Sequence, residues 1–342
     1  MALGTIAGRK RLLVLICLCA AAARATADLG GTLDVRTLVS ASDAVVVGRV
    51  DAVSGGEAAV VDYNGNPRPG RMTTVTVHVD TVLKGDVGVT LSCRIAELQG
   101  SPDPSPVRNG AYLMLFLRIG ASGCSFTDVR HHVFPAVAIN TPADPDPLDR
   151  VAVALMAVVT ASSTSPYLKG EAIDQLGRFR TARAHELLLQ ALKSKEDVAR
   201  RASASALMYA GDLSGLGIVE QTLLAAGDVS DGDRVRARLA MTRVSDPAAV
   251  PALSLLLASP ARETRQVAAD ALRRTKSPLA VQPLLRALND QEPEVQYAAV
   301  MGLYAIVNNS NGAPSFELFR RDPIPFVGHW KEWAARQTAP KR

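Results

Sequence analysis

The chain has 342 residues, 48% hydrophobic and 21% charged, with 38 basic side chains against 33 acidic ones. That length favours two domains over one. The basic excess sits partly at the N-terminus: Arg9, Lys10, Arg11 and Arg24 lie in an acid-free stretch of 27 residues, and the rest carries 34 basic and 33 acidic residues, which leaves no basic footprint for nucleic acid.

That stretch, "GRKRLLVLICLCAAAARATAD", has a basic start, an apolar run from Leu12 to Ala23 and small residues before Asp28. This is the layout of a secretory signal peptide over residues 1–27. It predicts an exported protein, periplasmic or extracellular. The run is shorter than the roughly 20 residues a membrane span takes. Cys17 and Cys19 lie inside it, and bulky Ile16 and Leu18 before them argue against a lipid anchor. Cys93 and Cys124 remain, either as one bridge or as two separate buried thiols.

Residues 28–140 read as a β domain. "LDVRTLVSASD" predicts a short helix. Strands follow at Ala44–Val53, Thr73–Leu83, Val89–Ile95 and Ala111–Ile119, rich in Val, Thr and aromatics and separated by turn signals at Asn64-Gly65, Lys84-Gly85-Asp86, Asn109-Gly110 and Gly123. "TVTVHVDTV" alternates with period two, so one of its faces is buried and the other wet. About five short strands suggest a small closed barrel or a sandwich. Three prolines alternating with acids in "NTPADPDPLD" make a stiff connector, centred on 141–147. "LDRVAVALMAVVTASS" comes nearest to a second apolar span, but it is short and carries Asp149 and Arg150. It reads as a buried helix, so no membrane-spanning segment is predicted.

From residue 148 to 310 the period becomes helical. "GEAIDQLGRF", "VARRASASALMYA", "DRVRARLAMTRV", "ETRQVAADALRRT" and "EVQYAAVMGLYAI" are one helix written at steps of 31 to about 33 residues. A second series runs through Leu192, Leu224, Leu257 and Leu288, at steps of 32, 33 and 31. Two rulers with one period define a helix pair repeated about four and a half times, with an atypical first pair. The copy around Val235 is degenerate, crowded by four Arg and one Asp. A single pair cannot bury its apolar stripe alone, so neighbours stack. Ala206, Ala271 and Gly302 allow close approach. "SDP", "SP" and "EP" open helices with a capping side chain followed by Pro. Residues 311–342 form a C-terminal cap.

The runs "VAADAL", "YAAVMGL" and "RASASAL" resemble HEAT repeats, in particular the short variety named after phycobilisome lyases, over about Tyr167 to Asn309. The resemblance implies an all-α solenoid and is nearly silent on chemistry. "SDAVVVGRVDAV", "DYNGNPRPGRM", "VTVHVDTVLKG" and "NGAYLMLFLRI" followed by "CSFTDV" resemble the barrel of tissue inhibitors of metalloproteinases and netrin-like modules, over about Leu33 to Ile139. That resemblance implies a fold of the oligonucleotide/oligosaccharide-binding type. In those inhibitors an N-terminal cysteine chelates the protease zinc. Here the expected mature N-terminus is Asp28, and no Cys lies between it and Cys93. The fold carries over and the inhibitory mechanism does not.

Motifs for chemistry are lacking. His131 and His132 are adjacent, so on a strand they point to opposite faces and share no metal easily. "DYNGNP" starts like a calcium loop, but Pro67 stands where Gly is needed and Thr73 where Glu is needed. No nucleophile elbow, phosphate loop, zinc helix or C-x-x-C occurs. The sequence therefore predicts a non-enzyme without cofactor or metal. Arg200, Arg201, Arg234, Arg236, Arg238, Arg273 and Arg274 recur through the repeats. They read either as solvated helix faces with charge ladders or as a basic ridge for an acidic protein partner. Trp330 and Trp333, on one side of a helix, read as a cap over the last repeat or as an aromatic platform. Asn308 opens a glycosylation sequon.

The expected molecule is a multidomain protein: a small β-barrel followed by a HEAT-type solenoid that binds another protein on its concave face, lined by the inner helices of the pairs. Those inner helices are taken to be the second ones and to bear the Arg residues. The alternative is a regulator of a secreted hydrolase acting through the barrel.

Overall fold

The computed structural model describes residues 34–61, 66–98, 106–121, 123–127, 133–227, 229–307 and 312–338. The segment read as a signal peptide, the loop Asp62–Gly65, His131, His132 and Asn308 lie outside them. The chain divides into two compact units, one ending at Thr164 and the other beginning at Ser165.

The first unit opens with helix α1 (Val35–Ala41), whose Val35, Leu38 and Val39 recur at one helical face and are buried. Six strands follow: β1 (Ala44–Val61), β2 (Pro67–Lys84), β3 (Thr90–Leu98), β4 (Tyr112–Gly120), β5 (Gly123–Phe126) and β6 (Val133–Pro135). From Thr73 to Leu83 every second residue of β2 is buried, as the period of two requires. The pairings run β1-β2-β3-β5-β4 and return from β4 to β1, with β6 added along β4. The sheet thus closes on itself around Val46, Val50, Val75, Val77, Ile95, Leu113, Leu115 and Phe126. The contact between β3 and β5 is parallel and short. Cys93 stands opposite Cys124 there and Arg94 opposite Ser125, and the two cysteines form a disulfide with Cα atoms 4.4 Å apart.

Helix α2 (Pro147–Thr160) starts on Asp146, whose carboxylate accepts the Leu148 amide. The sequence assigns this helix to the repeat array. It belongs instead to the first unit, where it packs on β2 and α1. Its Val151, Ala152, Leu155, Val158 and Val159 are buried, and that apolar face is what the neighbouring sheet strand and helix cover.

The second unit is a run of helix pairs: α3 (Pro166–Phe179) with α4 (Ala182–Leu192), α5 (Asp197–Tyr209) with α6 (Leu216–Leu224), α7 (Asp231–Met241) with α8 (Val250–Leu256), and α9 (Arg262–Thr275) with α10 (Val281–Ala287). Helix α11 (Pro293–Val307) starts a fifth repeat, and α12 (Phe316–Arg321) and α13 (Ile324–Thr338) end the unit. Each second helix, or the 3₁₀ turn that leads into it, opens on a capping side chain. Thr181, Asp212, Asp246 and Ser277 each accept a backbone amide two or three residues on, at steps of 31, 34 and 31. The longer step brackets α7, the degenerate copy. Gly215 is required by close approach, because a Cβ there would lie 2.4 Å from the Ala204 carbonyl oxygen. One apolar core runs from Ala204 through Leu253, Leu272 and Leu303 to Trp330. That continuity is how each pair buries the face it cannot bury alone.

Candidate interaction surface of the helical repeats

All seven arginines singled out in the sequence lie on α5, α7 and α9, which are first helices of their pairs, not second ones. The expectation that Arg-bearing second helices line a face is corrected accordingly.

Several of them hold the fold. Arg200 donates to the carbonyls of Ser194 and Lys195 and pairs with Asp197. Arg234 donates to the Ala225 carbonyl at 3.0 Å. Arg274 reaches back to the carbonyls of Met241 at 2.9 Å and Val244 at 3.2 Å, and burial pushes its guanidinium below the ordinary arginine pKa. Arg201 pairs with Asp197 at 3.2 Å and with Asp233 at 3.7 Å. Arg236 meets Asp174 at 2.7 Å, Glu171 at 3.3 Å and Asp233 at 3.8 Å. Burial raises the Asp174 carboxyl above its usual range, against the pull of Arg236. Arg273 makes an i,i+3 pair with Asp270 at 3.4 Å. Arg238 is half-buried, and its charge acts on the Glu263 carboxylate.

A repeated position explains part of this. Lys169, Arg200, Arg234, Arg265 and Gln296 occupy the fourth residue of successive first helices. Four of them donate to a carbonyl in the loop just before their own helix, at Ser194, Ala225, Ser259 and Asp290. Lys169 and Arg265 also reach the following loop. Lys169 Nζ lies 2.6 Å from Glu196, and Arg265 makes a two-pronged pair with Asp290 at 2.8 and 3.0 Å. A long donor at this position ties the loop carbonyls that helix ends leave unsatisfied. Sequence reading missed Lys169, Arg265, Asp233, Glu171 and Asp174. The signal available for the first two was their register with Arg200 and Arg234.

The open part of the surface is apolar as well as basic. Val235 and Leu239 are one helical turn apart on α7, each 54% exposed, with Arg238 beside Leu239. Leu255 on α8 is similarly exposed. Arg243 stacks over the Tyr209 ring at 4.8 Å and donates to its hydroxyl at 2.9 Å. Trp330 is fully buried, edge-on to Tyr304 at 4.9 Å and to Trp333 at 5.6 Å. It presents no face to solvent and closes the end of the core, while Trp333 is half-buried against it.

Among the described residues no group of three or more His, Cys, Asp or Glu side chains is placed to hold a metal ion. No helix among them is long and apolar enough to cross a membrane.

Residues 219–304 match the family model for HEAT repeats, and the helix pairs there are repeats of that kind. No curated protein matches the chain. Solved structures similar to it include an engineered protein, with 19% identity and a TM-score of 0.38 over 57% of this chain and 91% of that one. Human deoxyhypusine hydroxylase in complex with glycerol has 19% identity and a TM-score of 0.26, over 56% of this chain and 88% of that one. A designed armadillo repeat protein has 14% identity and a TM-score of 0.34, over 55% of this chain and 92% of that one. None of these likenesses carries an activity to this chain.

Proposed function

We propose that the protein is an exported, non-enzymatic scaffold that binds another protein through its helical repeats. The exposed pair Val235 and Leu239, inside the stretch that matches HEAT repeats, carries this reading. Apolar side chains beside a cation on a rigid, pre-ordered helix suit a protein partner, because little conformational freedom is lost on binding. The repeats are taken to be of the short phycobilisome-lyase variety. Export rests on the N-terminal segment, and the Cys93–Cys124 bridge suits an oxidising compartment.

The test uses the full mature chain to capture partners from envelope and culture-medium extracts, with Val235→Asp/Leu239→Asp as the comparison. Helical content stays unchanged, because both side chains already face water, and the captured partner is lost. Retention of the same partner by the double variant sinks the reading. Reversing Arg234 or Arg236 is the wrong control, since both hold the fold.

A second reading rests on the first unit. The ring β1-β2-β3-β5-β4 with its single parallel step supports a barrel of the oligonucleotide/oligosaccharide-binding type, as in the netrin-like inhibitor modules. Capture of a hydrolase whose activity falls on binding, unaffected by the change at 235 and 239, favours this reading instead.

A further inference from the structure

We propose that Arg236 is a strap that spans two helical repeats and fixes the bend of the array at its irregular third copy. Helices α3, α5 and α7 are successive first helices, and α5 packs between the other two. Arg236 belongs to α7, yet its guanidinium lies on α3, bonded to Asp174 and Glu171, which are 62 and 65 residues away. It therefore reaches past α5 to the repeat beyond.

Three features fit that reach. The first is the bare surface of α5, where Ala202, Ser203 and Ser205 are small and buried. The residues in register with Ser205 on the other first helices, Asp174, Leu239, Asp270 and Met301, are half-buried or exposed. Ser205 is covered where its counterparts are open. The second is the landing site. Gly170 sits inside α3, where glycine weakens a helix, and a Cβ there would lie 2.7 Å from Arg236 Nη2. The missing side chain is the space the guanidinium fills. The third is Asp233, only 3% exposed, at a position where α5, α9 and α11 carry Ala199, Thr264 and Val295. Its carboxylate faces Arg236 at 3.8 Å and Arg201 at 3.7 Å. A buried acid needs a cation nearby, so α7 is committed to keeping Arg236 in place. The strap also falls where the repeat spacing lengthens from 31 to 34 residues, between Asp212 and Asp246.

The test measures the distance between the first and third repeats, with thiol-independent spin labels at the exposed Gln190 on α4 and Leu255 on α8 of the full chain. Arg236→Met broadens and shifts the distribution, and speeds amide exchange in α3 and α7 by about tenfold, as loss of charge-assisted hydrogen bonds implies. Gly170→Ala gives the same change while leaving Arg236 in the chain. That sign is diagnostic, because Gly→Ala inside a helix otherwise stabilises it. Combined with Arg236→Met, Gly170→Ala adds nothing further to the distribution. Should Arg236→Met alone fail to fold, Asp233→Asn/Arg236→Met removes the strap together with the buried acid it faces, and the same broadening is expected. A distribution unchanged by Gly170→Ala and by the charge-neutral combination overturns the proposal, as does additivity of Gly170→Ala with Arg236→Met. None of these readings involves a partner, so they stand apart from the binding test.

Discussion

Single side chains in the second unit act mostly on backbone and on each other. Arg265 shows the energetics, with two bonds to Asp290 and two to loop carbonyls from one guanidinium. Hydrogen bonds to charged groups contribute about 1.5–3 kcal/mol, so Arg265→Met should cost about 2 kcal/mol in a urea unfolding series. Burial raises the pKa of the Asp290 carboxyl, but Arg265 and the amides of Glu292 and Gln291 outweigh it, and the folded pKa lies below the ordinary value. The stability this depressed pKa contributes is fully present above the unfolded aspartate pKa. It is lost as pH falls through the lower folded one. Asp290→Asn should flatten that acid limb of the stability–pH curve; an unchanged limb would show that the pair contributes nothing. Backbone conformation supplies a second case. Arg180 and Lys276 end α3 and α9 in the left-handed region, at φ 55° and 50°, where Gly211 ends α5 at φ 98°. Glycine adopts that conformation without Cβ strain. Arg180→Gly should therefore raise stability by about 0.5–1 kcal/mol, the strain relieved less the cost of a more flexible unfolded chain.

At the level of elements, the sheet ring is weakest where it closes between β3 and β5. Among the described residues only Cys93 with Cys124 and Arg94 with Ser125 pair there, and the disulfide joins the two strands at that point. Cross-linking residues 31 apart removes about 3–4 kcal/mol of chain entropy from the unfolded state. Cys93→Ser/Cys124→Ser should lose that much, with amide exchange rising first in β3 and β5; protection that stays even across the sheet would count against it. What the sequence made legible follows the same logic of locality. The helix period, the caps and the alternation in β2 are written in neighbouring residues, so they could be read directly. The sequence showed β1 as ending near Val53, whereas it runs on to Val61 because Ala52–Val61 pairs with Pro67–Thr76 of β2. Glycines and small residues hid that pairing. The arginines were legible as a pattern and not as a role. Carbonyl acceptors have no sequence signature, and the acids hydrogen-bonded to Arg236 and Arg265 lie 25 to 65 residues away. The exposed Val235 and Leu239 were obscured because their helix read as a damaged repeat.

Over the whole repeat unit, each pair contacts its neighbours in sequence, so stability is a sum of local terms and couplings. An end that exposes the core is then the place from which opening spreads. Trp330 covers that end: it is buried among Tyr304, Trp333 and the apolar side of α11, and it belongs to the same core as Leu303 and Leu272. Truncating a buried tryptophan costs about 3–5 kcal/mol. In a two-state globule that loss would spread evenly over the fold. In a stacked array it should be graded. Trp330→Ala should accelerate amide exchange most in α11, less in α9 and α10, and least in α3 and α4. Strap and clasp contacts such as Arg236 with Asp174 and Arg265 with Asp290 set how steeply the effect decays, because they couple one repeat to another. Combining Trp330→Ala with Arg265→Met should let opening run further, into α7 and α8. A uniform rise in exchange from α3 to α11 in the single variant would instead mean that the unit opens as one cooperative body.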